Sequence, residues 1–372
     1  PFLEMFKTKK FFVVFTQIAS GVGFGLVALS LQLPHFFACS IALLAVIAFS
    51  GATHDIATDG VYMTELSKSD QAKYIGWQGA FYNIAKIVAS GGLVYLAGWL
   101  VKRFGGVEGA SGEVVYEANV HAWMIVMFVM AIVMISLGLY HTRMLPSGGA
   151  ATSEATSFKE TFDKLVEVIL DFFKKKHIWY YIAFIILYRF AEGFVMKIVP
   201  LFLKAGREIG GLGLSEQEIG IYYGTYGAAA FVLGSLLAGY YISHRGLKKT
   251  LFSLCCTFNL PFIAYTLLAI YQPTSGMLIG GAIVLEYFGY GFGFVGLTLF
   301  MMQQVAPGKH QMAHYAFASG IMNLGVMLPG MVSGFVSDWL GYRDFFIFIL
   351  FATIPAFLIT YFVPFTYPDT KK

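Results

Sequence analysis

Ten long apolar runs, separated by short polar breaks, constrain this chain more than any other feature of its sequence. Each run is long enough for an α-helix to cross a bilayer, which takes about 20 mostly apolar residues. Hydrophobic residues make up 58% of the chain and charged residues only 12%, against about 25% charged in a typical soluble domain. The sequence therefore predicts an all-α membrane protein. The predicted spans lie near residues 11–33, 35–56, 73–101, 120–141, 177–203, 217–242, 249–271, 276–304, 311–339 and 343–365.

Basic residues are distributed unevenly over the breaks between these runs. When residues 143–176 are placed in the cytoplasm and the sides alternate from there, most of the 25 Lys and Arg residues fall on the inner side. Multi-pass proteins retain positive charge on the cytoplasmic side. This asymmetry predicts a cytoplasmic carboxyl terminus. The net charge of only +4 gives no indication of a nucleic-acid partner.

Residues 143–176 are the one long hydrophilic segment between the runs, and they divide the chain into four spans and six. The segment includes "PSGGAATSEATS", a composition typical of a flexible linker. Apolar residues then recur every three or four positions from Phe158 to Phe172, which predicts an amphipathic helix on the inner membrane surface. We expect an N-terminal bundle over residues 1–142, a cytoplasmic linker over 143–176, and a C-terminal bundle over 177–372.

Three pairs of residues at one constant separation of 240 positions indicate two homologous halves. Internal repeats of this kind are common in transporters. On the same separation, the partner of the span that begins near residue 177 would lie before Pro1. We therefore expect a twelve-span protein whose first two spans are absent from this chain, with "PFLEMF" closing the second. The pairs are Lys9 with Lys249, Gln71 with Gln311, and Asn83 with Asn323.

Two six-helix halves, a basic loop between the second and third spans of each half, and a long cytoplasmic connector together resemble the major facilitator superfamily. The loops "MFKTKK" and "SHRGLKK" are similar to its G-x-L-x-D-R-x-G-R-K signature. Arg245, Gly246 and Lys249 fit that signature, while its acid is Glu4 in the first half and is missing from the second. The resemblance implies a secondary transporter without a cofactor, in which two bundles rock around a central site.

The stretch "ATHDIATDGVYMTEL" resembles the end of the fourth span in the muropeptide permease (AmpG-type) group, roughly A-x-Q-D-I-A-x-D. His54 stands where that pattern has Gln. The resemblance implies proton-coupled import of cell-wall muropeptides or amino-sugar disaccharides across the bacterial inner membrane. Transport of other sugars or glycosides is the alternative within the same class. We expect a solute, protons and the bilayer as partners, and a monomer.

The same polar stretch predicts a cytoplasmic gate, because it follows an apolar run that ends on the inner side. Asp55 and Asp59 are one helical turn apart and share a face, where they repel each other unless a cation lies nearby. A latch of ion pairs with the basic inner loops is the favoured interpretation, and a proton-carrying acid is the second. A metal site is the third, although no further ligand is spaced to complete it. Gln303 and Gln304 also lie at an inner end. The predicted gate residues are His54, Asp55, Asp59, Glu65, Lys9, Lys249 and Arg245.

Polar residues near the middle of one run form a stripe on a single helix face. Gln78, Tyr82 and Lys86 recur every four positions, and Asn83 lies beside them. A charge at mid-span costs at least about 2.5–3.5 kcal/mol on insertion scales, so it calls for a compensating role. We interpret the stripe as the wall of a wet solute cavity, with Tyr82 available to stack on a sugar ring. A polar contact between helices without any ligand is the alternative.

Three further charges are predicted at mid-span in the second half. Arg189 and Glu192 are three positions apart and can pair, either as a structural pair or as one that opens for substrate or a proton. Glu286 is the single charge in its run, with Tyr290 one turn on, and its candidate partners are Arg189, Lys86 and a residue in the absent spans. Glu192 and Glu286 are the candidate proton carriers. Asn323 and His314 lie on nearly opposite faces of one helix, so we expect only one of them in the cavity.

Several other functions find no support in the sequence. "GFGFVG" at residues 291–296 matches a nucleotide-binding pattern but lies inside an apolar run, where its glycines favour close helix packing. Cys39, Cys255 and Cys256 lie in or beside apolar runs and are expected to pack, not to bind metal. No catalytic constellation is recognisable, so we do not expect an enzyme. The rival from another class is a membrane sensor that transports nothing.

Overall fold

The computed structural model describes residue 3 and residues 7–107, 109–149 and 158–368, and these residues form helices and no β-strand. The all-α prediction is confirmed. Glu4 and the linker residues 150–157 lie outside the described residues. In chain order the α-helices are α1 (Lys9–Ser30), α2 (Phe36–Glu65), α3 (Lys68–Ile87), α4 (Val94–Arg103), α5 (Gly112–Met144), α6 (Phe158–Phe173), α7 (Ile178–Tyr188), α8 (Phe190–Lys204), α9 (Glu216–Ile219), α10 (Gly227–Arg245), α11 (Leu247–Asn259), α12 (Phe262–Tyr271), α13 (Gly276–Phe300) and α14 (Gln311–Tyr361).

Seven helical segments of the described residues are long and apolar enough to cross a membrane. All seven coincide with predicted spans, and the 51-residue α14 covers two of them, at 311–339 and 343–365. The predicted spans at 73–101 and 177–203 correspond to interrupted helices and are not among these seven. The count of ten spans stays a prediction.

Interruptions of the helical backbone recur within the predicted spans. A π-helical turn, Val88–Leu93, joins α3 to α4, and another, Gly220–Tyr226, joins α9 to α10. The helix α7 ends at Arg189, whose φ of −107° and ψ of 7° are not helical, and α8 begins at the next residue. Gly341, with a φ of 73°, breaks α14 between its two predicted spans. Broken helices at membrane depth are tolerated where their backbone is covered by protein or lines a cavity.

The chain forms two compact units, and the first comprises Pro1–Glu65 and Ile84–Leu165. Its central helix is α1, which packs against both α2 and α5. Small residues permit the approach to α5, since a Cβ added at Gly21 would lie 3.0 Å from the backbone oxygen of Ala131. Likewise, a Cβ at Gly138 would lie 2.9 Å from Ile18 Cγ1. Close packing over small residues is the usual way in which membrane helices associate.

The second unit comprises Leu66–Asn83 and Val166–Lys372. Its largest apolar cluster joins α8, α12, α13 and α14, with Phe202, Ile283, Phe345 and Phe346 fully buried in it. The glycines of α13 bring neighbouring helices into backbone contact. A Cβ at Gly291 would clash with the backbone of Phe231 in α10. The prediction that the "GFGFVG" glycines serve close packing is confirmed.

The predicted amphipathic helix is present as α6, and its carboxyl-terminal half docks on the second unit. Val168 and Phe172 are buried there, and the Val168 carbonyl oxygen lies 3.1 Å from His314 Nε2. Lys175 donates hydrogen bonds of 2.6, 3.0 and 2.7 Å to three carbonyl oxygens at residues 305–307. Burial lowers the pKa of Lys175 to about 8, and Asp171 opposes that effect. The ammonium group is therefore still mostly charged at neutral pH, with three protons to donate.

The close contact at Gly291 makes α13 sensitive to the addition of one methyl group. We expect Gly291→Ala to destabilise the protein by about 1–3 kcal/mol, the usual cost of overpacking, because the new Cβ meets the backbone of Phe231. Gly281→Ala, in the same helix with nothing near its Cβ position, is the matched control and should melt like the wild type. Thermal melting of the detergent-purified protein measures both. Equal melting temperatures would contradict the contact.

Candidate functional site

A buried ion pair occupies the break between α7 and α8. Arg189 is the residue at the break, so Glu192 falls in the first turn of α8. The guanidinium donates two hydrogen bonds to the carboxylate, from Nε to Oε2 at 2.5 Å and from Nη2 to Oε1 at 2.7 Å. The two residues are 5% and 2% exposed. The predicted pairing of Arg189 with Glu192 is confirmed, and its two-pronged geometry is the strong form of such a pair.

Aromatic side chains surround this pair. The Arg189 guanidinium lies 5.0 Å from the centroid of the Phe294 ring, and it also interacts with Tyr290. Tyr290 in turn packs edge-on against Phe231, with 5.0 Å between the ring centroids. The hydroxyl of Tyr188 donates to the Gly293 carbonyl oxygen at 2.8 Å. Ring faces carry partial negative charge and attract a guanidinium, so this cage stabilises the cation while it excludes water.

Glu286 is a second buried carboxyl group in the same unit, and it is 9% exposed. Its Oε2 accepts a hydrogen bond of 3.2 Å from the hydroxyl of Tyr265. The sequence suggested Arg189, Lys86 or a residue of the absent spans as its partner, but Arg189 is engaged by Glu192, and Glu286 accepts a hydrogen bond from a phenol. Glu286 also interacts electrostatically with Glu192. The unit thus places two acids near one another, and only one of them holds the guanidinium.

Part of the predicted polar stripe of α3 belongs to this unit as well. The approach of α3 to α10 is very close, since a Cβ at Gly76 would clash with the backbone of Ser235, whose Oγ donates to the Gly76 carbonyl oxygen at 3.2 Å. Tyr82, on the same helix, is exposed and interacts electrostatically with Tyr290. Asn83 bonds back to Gly79 of its own helix at 3.0 Å.

Four further residues considered at mid-span differ in exposure and in the unit to which they belong. Lys86 is exposed and belongs to the first unit. Gln78 is exposed on α3, and Asn323 is exposed on α14. His314 is buried against the Val168 carbonyl oxygen. Of His314 and Asn323, which cannot both face one cavity, His314 is therefore the packing residue.

Two of the predicted gate residues of the first unit bind the backbone of one residue, Gly148. Glu65 Oε1 accepts a hydrogen bond of 2.7 Å from the Gly148 N–H, and Lys9 Nζ donates to the Gly148 carbonyl oxygen at 2.6 Å. Asp55 is largely exposed, and its Oδ1 lies 3.8 Å from His54 Nδ1. Glu65 and Lys9, an acid and a base of the predicted gate, thus both bond to Gly148 near the start of the linker. Residue spacing does not indicate this arrangement. Asp59, on the same helix, is partly buried.

In the second unit, the π-helical turn Met301–Val305, which follows α13, binds the carboxyl-terminal segment. Gln304 Oε1 accepts from the N–H groups of Thr366 and Tyr367, both at 2.9 Å, and its Nε2 donates to the Tyr367 carbonyl oxygen at 2.8 Å. Gln303 Nε2 donates to the Lys68 carbonyl oxygen at 3.1 Å. Arg245 is exposed beside Tyr241. Lys249 is exposed too.

Paired charge at a helix break and a second acid at mid-span suit a membrane transporter, and comparison with known families decides the matter. The family model of the Major Facilitator Superfamily matches residues 1–306 and again residues 190–372. This chain belongs to the major facilitator superfamily. The members of this superfamily are multi-pass membrane transporters.

Curated relatives support the narrower resemblance. The chain is 23% identical to the anhydromuropeptide permease of Escherichia coli K12 over 319 residues, covering 86% of this chain and 58% of the permease. It is 24% identical to an uncharacterized protein of Haemophilus influenzae over 87% of this chain and 71% of that protein. The chain thus spans well under two thirds of the permease that it resembles.

Solved structures confirm the fold. The crystal structure of the E. coli fucose:proton symporter superposes with a TM-score of 0.66 over 95% of this chain and 83% of the symporter, at 15% identity. A second structure of the same symporter, in the outward conformation, gives a TM-score of 0.65. Identity this low establishes a shared transporter fold and leaves the solute open.

The hydrogen bonds between Gln304 and the carboxyl-terminal segment can be tested directly. We expect Gln304→Leu to increase hydrogen exchange in residues 363–368 by at least about tenfold, since three hydrogen bonds worth about 1 kcal/mol each are lost. Gln32→Leu is the control, because its side chain bonds Met124 Sδ in the first unit. Hydrogen exchange with mass spectrometry measures both. Equal protection in the two variants would contradict the assignment.

Proposed function

We propose that this transporter imports cell-wall muropeptides or amino-sugar disaccharides across the bacterial inner membrane, together with protons. The observation that carries the proposal is the buried Arg189–Glu192 pair beside a second buried acid, Glu286, among tyrosines. The E. coli relative named anhydromuropeptide permease supports the solute class. The structural neighbour that is a fucose:proton symporter supports coupling to protons.

In this proposal the Arg189–Glu192 pair exchanges partners during transport. Removing one member of a buried pair leaves an uncompensated charge at a cost of about 3–5 kcal/mol. The pair therefore opens only when something else satisfies both groups. A proton on Glu192 neutralises the acid, and a carboxylate of the solute then takes its place on Arg189. Proton and solute are thereby bound together, which is what coupling requires.

Glu286 is the second proton carrier in the proposal. Its hydrogen-bond donor is the neutral phenol of Tyr265, so a proton can be added without breaking an ion pair. The electrostatic interaction between the two acids links their occupancy, because a proton on one relieves repulsion at the other. Tyr82 and Tyr290 supply ring faces and hydroxyl groups for a sugar. Aromatic rings combine apolar contact with a polar tip, which suits a solute of that kind.

The cytoplasmic gate of the proposal consists of the groups at the inner ends of the helices. In the first unit these are Glu65 and Lys9, which hold Gly148, together with His54, Asp55 and Asp59. In the second unit they are Gln303 and Gln304, with Arg245 and Lys249 nearby. The division into bundles at 1–142 and 177–372, the cytoplasmic linker at 143–176 and the cytoplasmic carboxyl terminus belong to the proposal as well.

Transport of another sugar or glycoside is the second candidate. The observation in its favour is the fold shared with the fucose:proton symporter. The tyrosines near Arg189 are compatible with either solute. The two candidates differ in whether the solute carries an anionic group. An acidic muropeptide supplies a carboxylate that can pair with Arg189, whereas a neutral sugar does not.

Uptake into liposomes tests the proposal. The full-length protein is reconstituted, an inward proton gradient is imposed, and uptake of radiolabelled N-acetylglucosaminyl-anhydromuramic acid is followed beside a neutral disaccharide. We expect gradient-driven accumulation of the first compound. Glu192→Gln and Glu286→Gln should reduce it to the level without a gradient, because an amide cannot bind the proton. Glu113→Gln, at an exposed helix start, is the control and should transport normally.

Each result separates the candidates. Accumulation of the neutral disaccharide alone would reject the muropeptide and retain a sugar transporter. Uptake of neither compound by protein with a sharp melting transition would favour the sensor. Gradient-driven uptake that survives both substitutions would place the coupling proton elsewhere.

A further inference from the structure

Seven polar side chains meet within the first unit, where α1, α2 and α5 pack together. Two are histidines, on α2 and α5, and the other five are uncharged. The sequence motifs assigned no role to α5 or to residues 16–20 of α1. We call the group the polar layer; its members are Thr16, Gln17, Ser20, Ser50, His54, Thr58 and His141.

Hydrogen bonds connect the three helices within the polar layer. Ser20 Oγ donates to Ser50 Oγ at 3.0 Å, and Ser50 Oγ donates to the Thr16 carbonyl oxygen at 3.1 Å, which ties α1 to α2. His141 Nδ1 lies 2.9 Å from Gln17 Oε1, which ties α1 to α5. Gln17 is buried. An amide oxygen only accepts, so His141 Nδ1 carries the hydrogen, and in the neutral ring Nε2 has the free lone pair.

Exposure falls steadily from the surface into the polar layer. The Asp55 side chain is 84% exposed, and its carboxylate lies 3.8 Å from Nδ1 of His54, which is 25% exposed. His54 interacts electrostatically with His141, whose partner Gln17 is buried. A carboxylate, a partly buried imidazole and a second partly buried imidazole that bonds a buried amide thus follow one another from solvent to interior.

Two buried atoms of the polar layer indicate that it holds something more. His54 Nε2 and Thr58 Oγ1 lie one helical turn apart on α2, and neither hydrogen-bonds to any of the described residues. Buried polar atoms without partners are uncommon in native proteins, because each costs the full desolvation of the group. The carboxyl-terminal site of the proposed function has no such atoms among its described acids. With the Nδ1 hydrogen of His54 toward Asp55, the unpartnered Nε2 of the neutral ring has a lone pair that can bind a proton.

We propose that the polar layer is a proton-binding site of the N-terminal bundle, with one proton held by His54 or His141. This inference rests on the proposed function in treating the protein as proton-coupled, and it adds a site to Glu192 and Glu286. Imidazole titrates near neutral pH, so it can load and unload a proton under physiological conditions. A single proton is expected, because two imidazolium ions this close would repel each other.

Neighbouring charges make His54 the entry point for the proton. Asp55 is the counter-ion next to its Nδ1. Among the described residues, the neighbours of His141 are Gln17, the ring of Tyr140 at 5.5 Å between centroids, and His54, and none of these is a carboxylate. A metal ion is a poorer fit, because the polar layer offers two imidazoles and otherwise only neutral oxygens. The remaining titratable or charged groups on these three helices near the layer are Asp59 and Glu65 on α2, Lys9 and Lys10 on α1, and Arg143 on α5.

A spectroscopic titration tests the site without any transported solute. The full-length protein is labelled with ¹⁵N-histidine in nanodiscs, and the imidazole resonances are followed from acid to alkaline pH. His54→Gln introduces the residue of the muropeptide-permease pattern and should move the titration midpoint of His141 by about one pH unit or more, the size at which two sites titrate as a pair. His141→Gln should do the same to His54. His121→Gln, exposed on the same helix α5, is the matched control and should move neither. Unchanged midpoints in the first two variants would overturn the proposal.

The pH profile of uptake separates this inference from the proposed function. If wild-type protein accumulates solute with the gradient, His54→Gln and His141→Gln should each displace the pH of half-maximal uptake, and His121→Gln should not. A wild-type profile in both layer variants would overturn the inference and leave the proposed function standing. If the wild type shows no gradient-driven uptake, the proposed function fails, and the histidine titration alone decides whether the polar layer binds a proton.

Discussion

The second unit of this protein depends on the compensation of one buried charge, the guanidinium of Arg189. Arg189 lies within a predicted membrane span, where a charge costs at least about 2.5–3.5 kcal/mol on insertion scales unless it is compensated on the spot. Glu192 compensates it through two short hydrogen bonds, and the ring of Phe294 covers the cation. The helix is broken at that residue, so the pair is held where the backbone can also change. A strong ion pair at a break in the helix is suited to a site that must bind and release a ligand.

The predicted spans contain both rigid and interrupted helices. The helix α13 is fixed by glycine contacts, since Gly291 meets the backbone of α10 and Gly293 meets Phe258 of α11. In contrast, π-turns or breaks interrupt the spans at residues 88–93, 220–226 and 301–305 and at Gly341. Fixed helices preserve the geometry of a site, and interrupted ones absorb changes in backbone angle. Both kinds are needed for a bundle that rocks around bound solute in the manner proposed for this family.

The two units place polar groups in the membrane in different ways. The second unit concentrates full charges, which pair with one another or face phenols. The first unit spreads neutral polar groups and two histidines over three helices, with Gln17 and Ser50 as connections. Neutral groups can be satisfied one bond at a time, whereas a buried charge needs a counter-charge or several donors at once. An imidazole belongs to both categories, because it changes from one to the other when it binds a proton.

Residue patterns alone determined the all-α membrane class, the positions of the apolar helices, the amphipathic helix α6, the packing role of the α13 glycines and the pairing of Arg189 with Glu192. These are local properties, set by hydropathy over one helix length or by neighbours within one turn. Tertiary structure decided the partners that lie far apart in the chain: Tyr265 for Glu286, Gly148 for Glu65 and Lys9, and the carboxyl-terminal segment for Gln304. It also brought His141 to Gln17 across more than one hundred residues. Helical periodicity shows which face a side chain occupies, but the packing of helices against one another determines what that face meets.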